Sequence, residues 1–164
     1  MLRLGHTAPV FSLPDADMEE FDLASVMDKQ HVVLFFYPKD GTPYCTQEAI
    51  DFSDHDEEFN RQNAIVIGVS RDDCLRHAEF RDQHGLSVRL LSDADGKVGH
   101  LYGVYHYREH DGHKRLDVVR STFIIDKQGI VRHALYDVNP KGHAAEVFQL
   151  IKELNRTCKS QKTA

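Results

Sequence analysis

The residue in this chain with the clearest chemical capacity is Cys45, because of what precedes it. From Val32 to Phe52 the sequence reads VVLFFYPKDGTPYCTQEAIDF: an apolar run breaks at Pro38, and a helix-like segment carrying the cysteine follows. A run rich in Val and Phe that ends in Pro, Asp and Gly predicts a buried strand and a loop, with Thr42 and Pro43 as N-cap and first helical residue. Cys45 then falls in the first helical turn. Backbone N–H groups there lack partners, and the helix dipole places partial positive charge beside the sulfur. Both favour the thiolate, the nucleophilic form of a thiol whose ordinary pKa, near 8.5, leaves it only a few per cent ionised at neutral pH. The simpler reading of a cysteine on an apolar helical face is a small core residue.

The elements that position Cys45 follow from hydrophobic patterning. Pro9 to Leu13 and Glu20 to Leu23, around the turn-rich Pro14 to Asp17, predict an N-terminal hairpin, followed by a short helical stretch near Leu23 to Met27. His31 to Tyr37 is the strand that leads into the cysteine helix, whose Cys45, Ala49, Phe52 and Phe59 share one face and turn the sulfur toward the body of the protein. Ala64 to Ser70 is a second buried strand. Asp72 opens a helix to about His84 with Gly85 as C-cap. Leu90 to Asp93 predicts a short strand and a cap, before a helix ending near Tyr102-Gly103. Val118 to Ile125 and Ile130 to Tyr136 read as an antiparallel hairpin joined by Asp126 to Gly129. An amphipathic helix, Gly142 to Leu154, closes the chain with Ala145, Val147, Phe148, Leu150 and Ile151 as core contacts. This order predicts an α/β fold of thioredoxin-like type, a mixed central sheet flanked by helices, as a single domain over residues 1–157 with a polar tail at 158–164.

Composition limits what the thiol is for. A chain of 164 residues has enough core to fold without a disulfide or a metal. Three cysteines, Cys45, Cys74 and Cys158, are an odd count without short-range pairing, which points to a reducing compartment. The N-terminus lacks an apolar signal core and no run is long enough for a membrane span, so the expected location is the cytoplasm. A formal charge of −6 with scattered Lys and Arg offers no stripe for nucleic acid. Of the eleven histidines, His106, His110 and His113 in HYREHDGH read as part of a charged, solvated loop rather than a metal site. Asp51, Asp54, Asp56, Glu57 and Glu58 read as a wet helix face, without the glycine spacing of a calcium loop.

The segment Pro38-Lys-Asp-Gly-Thr42-Pro-Tyr-Cys45 resembles the Pro-x-x-x-Thr-x-x-Cys motif of the peroxiredoxins. FFYPKDGTPYCTQEA, VIGVSRDD, LLSD, YGV and RSTFIID, in this order over nearly the whole chain, narrow the resemblance to the bacterioferritin comigratory protein or peroxiredoxin Q subfamily. The resemblance implies a thiol-dependent peroxidase that needs no cofactor, with Cys45 as peroxidatic cysteine. It implies that Arg120 holds the thiolate and orients the peroxide, that the Thr42 hydroxyl bonds the peroxide, and that Pro38 shields the sulfur. Glu48, one turn beyond Cys45, matches the carboxylate that braces the arginine. Many subfamily members carry a resolving cysteine five residues after the peroxidatic one; here that residue is Ile50. Cys74, expected in the first turn of a helix on the opposite sheet face from the Cys45 helix, is the candidate internal resolving thiol. The alternatives are Cys158, whose tail could reach the site although nothing orients it, and an external reductant: thioredoxin, glutaredoxin or glutathione. A monomer or weak homodimer is expected. A thioredoxin-type disulfide oxidoreductase would need a second cysteine where Glu48 stands. A non-catalytic binding module or redox sensor on the same fold leaves the coincidence of Cys45, Thr42 and Arg120 unexplained.

Overall fold

Six consecutive buried residues, HVVLFF, make the strand around which the protein is built. The computed structural model describes residues 2–162, with the side chains of residues 108, 110, 115 and 158–162 undescribed. Its elements begin with an antiparallel hairpin, β1 (Ser12–Pro14) and β2 (Glu20–Asp22), and a 3-10 turn at Leu23–Val26. Then come β3 (His31–Phe36), α1 (Pro43–Asp54), α2 (Asp56–Arg61), β4 (Ala64–Ser70), α3 (Cys74–His84), β5 (Arg89–Ser92) and α4 (Lys97–Tyr102). A second hairpin, β6 (Tyr105–His110) and β7 (His113–Val118), precedes β8 (Ser121–Ile125), β9 (Val131–Leu135) and α5 (His143–Lys162).

The central sheet has the order β5-β4-β3-β8-β9, with β3, β4 and β5 parallel and β8 and β9 antiparallel to their neighbours. This is the mixed thioredoxin-like sheet that the element order predicts. Because β3 has neighbours on both edges and cover on both faces, its side chains alternate between two cores. Val33, Phe35 and Tyr37 join Cys45, Phe52, Phe80 and Val147, from α1, α3 and α5. Val32, Leu34 and Phe36 join Phe21, Val98 and Tyr102, from the N-terminal hairpin and α4.

This division corrects the expected placement of α3. Strands β3, β4 and β5 progress in one direction across the sheet, and right-handed crossovers that progress the same way put their helices on the same face. α1 and α3 therefore share a face, with Phe80 and Cys45 in one core cluster. On that face Gly68 lies under Phe35; a Cβ at Gly68 would stand 2.6 Å from Phe35 Cζ. The close approach lets the Phe35 ring stack on Phe52 of α1 at 4.6 Å between centroids. This aromatic tier seats the helix that carries Cys45, and each fully buried aromatic contributes about 1.5–3 kcal/mol from burial alone.

Other boundaries differ from the sequence reading. The cysteine helix breaks at His55, so Phe59 reaches the same core from α2. α3 starts at Cys74, capped by the Asp73 carboxylate on Arg76 N at 2.8 Å, rather than at Asp72. The expected strand from Val118 to Ile125 is divided at Val119-Arg120, with β7 in its own hairpin and β8 in the central sheet. The segment HYREHDGH is not a loop. Asp111 and Gly112, with φ of 52° and 79°, turn β6 into β7 as an Asp-Gly hairpin. In α5, Ala144 is buried in place of Ala145, which is exposed. The helix continues past Leu154 to Lys162, through backbone that reads from sequence as tail.

Candidate active site

The site lies at the C-terminal end of β3, where chain geometry and sheet register converge. Thr42 is the N-cap of α1 in extended conformation and Pro43 is its first residue, so Cys45 sits at the third helical position. The Thr42 side chain does not cap the helix; its Oγ1 donates to Lys39 O at 3.0 Å. The Thr42 oxygen is therefore not spent on the positive end of α1. Arg120 arrives from the other side. The antiparallel register pairs Phe36 with Ser121, so the residue before Ser121 stands beside the end of β3. Its backbone is held there by Val138 N donating to Arg120 O at 3.0 Å.

From that position the guanidinium forks between two groups of α1. Nη1 donates to Glu48 Oε1 at 3.0 Å and Nη2 donates to Cys45 Sγ at 3.2 Å. Cys45 and Glu48 are each 1% exposed. Burial works against the charge of Arg120, but Glu48 and Cys45 outweigh it and hold the guanidinium above its ordinary range, so it is a permanent cation. Burial pushes the Glu48 carboxyl up to about 7 against the opposing pull of Arg120. Among the described residues, Glu48 Oε2 is the one buried side-chain oxygen or nitrogen without a hydrogen-bond partner in the protein. The carboxyl thus exchanges a proton near neutral pH beside an arginine that never loses its own. Burial also lowers His143, which bonds Thr122 Oγ1 at 2.8 Å, so a second positive charge is not added near Arg120.

Arg120 also lines an open cleft of about 510 Å³ with Pro38, Tyr105, Val118, Tyr136 and Val138. Asp137 and His106 line it too, so the cleft mixes charged and polar groups with apolar and aromatic walls. Of the residues expected at the site, Cys45, Glu48 and Arg120 are in direct contact, and Pro38 joins Arg120 at the cleft. Thr42 stands at the head of the same helix. Cys74 opens α3, half-buried, and neither it nor Cys45 is in a disulfide. Ile50 packs against the core below the site. The side chain of Cys158 lies outside the described residues.

Sequence reasoning missed Tyr37, Asp40 and His77. Asp40 is buried in the loop between Pro38 and Thr42, with Tyr37 Oη and His77 Nδ1 at 2.5 and 2.6 Å from its two oxygens. An Asp between Lys and Gly reads as a turn residue, and nothing in the spacing of His77, on a helix and 37 positions later, connects the two. The local signal available was the unbroken burial pattern into Tyr37, whose hydroxyl must find a partner.

Comparison with known proteins bears on the family and the fold. Residues 4–134 match the AhpC/TSA family. The chain is 46% identical over 148 residues to a putative peroxiredoxin bcp of Helicobacter pylori, covering 90% of this chain and 97% of that one. It is 36% identical over 154 residues to peroxiredoxin Bcp of Bacillus subtilis, covering 94% and 98%. Its fold superposes on the bacterioferritin comigratory protein of Xanthomonas campestris, described for alkyl peroxide reduction, with a TM-score of 0.85 at 31% identity over 88% of this chain and 92% of that one. The chain belongs to the AhpC/TSA family of peroxiredoxins.

Proposed function

We propose that this protein is a thiol-dependent peroxidase that reduces hydrogen peroxide and organic hydroperoxides through Cys45. The observation that carries this reading is the bifurcated contact of Arg120 with Cys45 Sγ and Glu48 Oε1 at 3.2 and 3.0 Å. The ionised sulfur attacks one peroxide oxygen; an S–O bond forms as the O–O bond breaks, the sulfur becomes sulfenic acid, and an alkoxide or hydroxide leaves and takes up a proton. Arg120 donates to the sulfur before the reaction and to the polarising oxygens during it, an interaction that strengthens as charge develops. The single O–H of Thr42 is spent on Lys39 O, so its oxygen faces a peroxide as an acceptor and orients the peroxide O–H. Pro38, which has no N–H, shields the sulfur without offering a competing donor.

An external thiol, from thioredoxin, glutaredoxin or glutathione, returns Cys45 to the reduced state. It attacks the sulfenic sulfur and expels water, and a second thiol resolves the mixed disulfide. Two observations support an external thiol over Cys74. Burial and the carboxylates of Asp15 and Asp73 push the Cys74 thiol up, which makes it a poor nucleophile at neutral pH. Cys45 is enclosed in a core that α1 would have to leave in part to bring the two sulfurs together. No helix among the described residues is long and apolar enough to cross a membrane. The enzyme proposed is cytoplasmic and acts as a monomer or weak homodimer.

Three outcomes are expected. Arg120→Met keeps a side chain of similar length but removes the charge, and the stopped-flow peroxide rate falls about a thousandfold with the fold intact; a rate within about threefold of wild type would rule out the role given to Arg120. Glu48→Gln reports the burial cost of the carboxylate. Its folded value of about 7 lies above the ordinary 4.5, so the stability that the protonated form contributes is full below the lower value and is lost as pH rises through the upper one. Gln mimics the protonated form at every pH. Thermal unfolding of the variant should therefore match wild type near pH 4 and exceed it by up to about 3 kcal/mol near pH 8. A wild type more stable than the variant at the higher pH would contradict this. Finally, peroxide-treated protein is trapped as Cys45 sulfenic acid by a sulfenate-specific reagent. An intramolecular Cys45–Cys74 disulfide peptide, absent from Cys74→Ser, would instead make this a two-cysteine peroxidase.

A further inference from the structure

Pro38 and Thr42 reach the site on a five-residue loop in which Pro38, Lys39 and Gly41 are exposed and Thr42 is half-buried, yet its middle residue, Asp40, is only 3% exposed. Asp40 is held through backbone and side chain alike. Its N–H donates to Asp72 Oδ2 at 2.8 Å, Oδ1 accepts from Tyr37 Oη at 2.5 Å, and Oδ2 meets His77 Nδ1 at 2.6 Å. His77, fully buried on α3, has Nε2 2.9 Å from Leu91 O of β5. A carbonyl oxygen only accepts, so Nε2 carries a hydrogen, and one further proton is shared between Nδ1 and Asp40 Oδ2. Asp72 is fixed in turn by Ser70 Oγ at 2.7 Å and Arg76 Nε at 3.3 Å. Tyr37 stays a donor, because burial and the adjacent Asp40 carboxylate hold its hydroxyl well above the usual phenol range.

We propose that Asp40, gripped by Tyr37 and His77, is the positioning residue of the peroxide-binding loop: it fixes where Pro38 and Thr42 stand relative to Cys45, and through them the rate of peroxide reduction. The proposal rests on the peroxidase reading of Cys45. Stability alone is a poor reason for this cluster. Three buried polar side chains are costly to desolvate, and apolar residues of similar volume commonly serve a core as well or better. What such a network supplies is one arrangement of its members. Here that arrangement is imposed midway between the two loop residues of the site, directly before Gly41 turns the chain at φ +83° into Thr42. A displacement of about 1 Å at a reacting centre costs about a hundredfold in rate.

The same groups resemble a metal site, since ligand atoms of Asp40, Asp72 and His77 lie within 4.8 Å of one another. Each of those atoms is already engaged: the Asp40 oxygens by Tyr37 and His77, the Asp72 oxygens by Asp40 N, Ser70 and Arg76, and His77 Nε2 by Leu91 O. Protein donors and a shared proton fill the place of a cation.

The test compares two reactions of Cys45 in Asp40→Ala, Asp40→Asn and Tyr37→Phe. Stopped-flow kinetics with hydrogen peroxide require the loop; alkylation of the Cys45 peptide by iodoacetamide, followed by mass, does not. Asp40→Ala should lower the peroxide rate about thirtyfold or more and leave alkylation within about threefold. Asp40→Asn presents an acceptor to Tyr37 and a donor to neutral His77 Nδ1, and should recover the rate to within about fivefold of wild type. Tyr37→Phe deletes one hydroxyl without changing shape, and should lower the peroxide rate about fivefold; it decides the matter if Asp40→Ala does not fold. Peroxide rates within about twofold of wild type in both Asp40→Ala and Tyr37→Phe, or peroxide and alkylation rates falling in parallel, would overturn the positioning role. A wild type inert to peroxide would bring down the peroxidase reading and this proposal together, whereas variants that match a reactive wild type would bring down this proposal alone.

Discussion

A guanidinium largely removed from water and shared between a sulfur and a carboxyl is the constraint on which the rest of this structure depends. Arg120 meets Cys45 at 3.2 Å and Glu48 at 3.0 Å with its side chain 13% exposed. Charge in such a place is tolerated only when its donors are satisfied and its position is fixed. Cys45 and Glu48 are one turn apart on α1, so the helix presents both acceptors to one planar fork. The register of β8 on β3 delivers the fork from the opposite side. Shifting either element by one residue would bury an unpaired charge.

The electrostatics of the site follow from unequal responses to burial. Arg120 keeps its proton at any accessible pH, whereas Glu48, held at about 7 by desolvation, does not keep its charge. A carboxylate always ionised next to Cys45 would oppose a second negative charge on the sulfur. A carboxyl that takes up a proton near neutrality leaves the arginine free to turn toward the sulfur and the departing oxygen. Packing serves the same end. Gly68 admits Phe35, Phe35 seats Phe52, and Phe52 fixes α1 close enough for its first turn to reach Arg120.

How much of this was legible in the sequence depends on the range of the cause. The strand, loop and helix around Cys45 are local, and Val32 to Phe52 displays them in order. Arg120 is 75 positions from Cys45 and by itself reads as a surface charge at a strand end; only its match to a family pattern singled it out. Strand order is not local at all, so the sequence suggests the opposite face for α3, whereas the β5-β4-β3 progression puts it on the same face as α1. The hairpin from Tyr105 to Val118 was hidden by charged residues that mask a two-residue alternation, although Asp111-Gly112 is a strong turn signal. The Tyr37, Asp40 and His77 cluster joins a strand end, a loop and a helix, and no spacing rule connects them.

The central claim is that Cys45, in this setting, is a peroxide-reactive thiol. It is tested most directly by adding one equivalent of hydrogen peroxide to the reduced protein and following the mass of the Cys45 peptide against time, with Cys45→Ser in parallel. The account predicts that Cys45 is oxidised within seconds and that the Ser variant leaves the peroxide unconsumed. A Cys45 peptide that keeps its reduced mass over that interval, with wild type and variant indistinguishable, would contradict it.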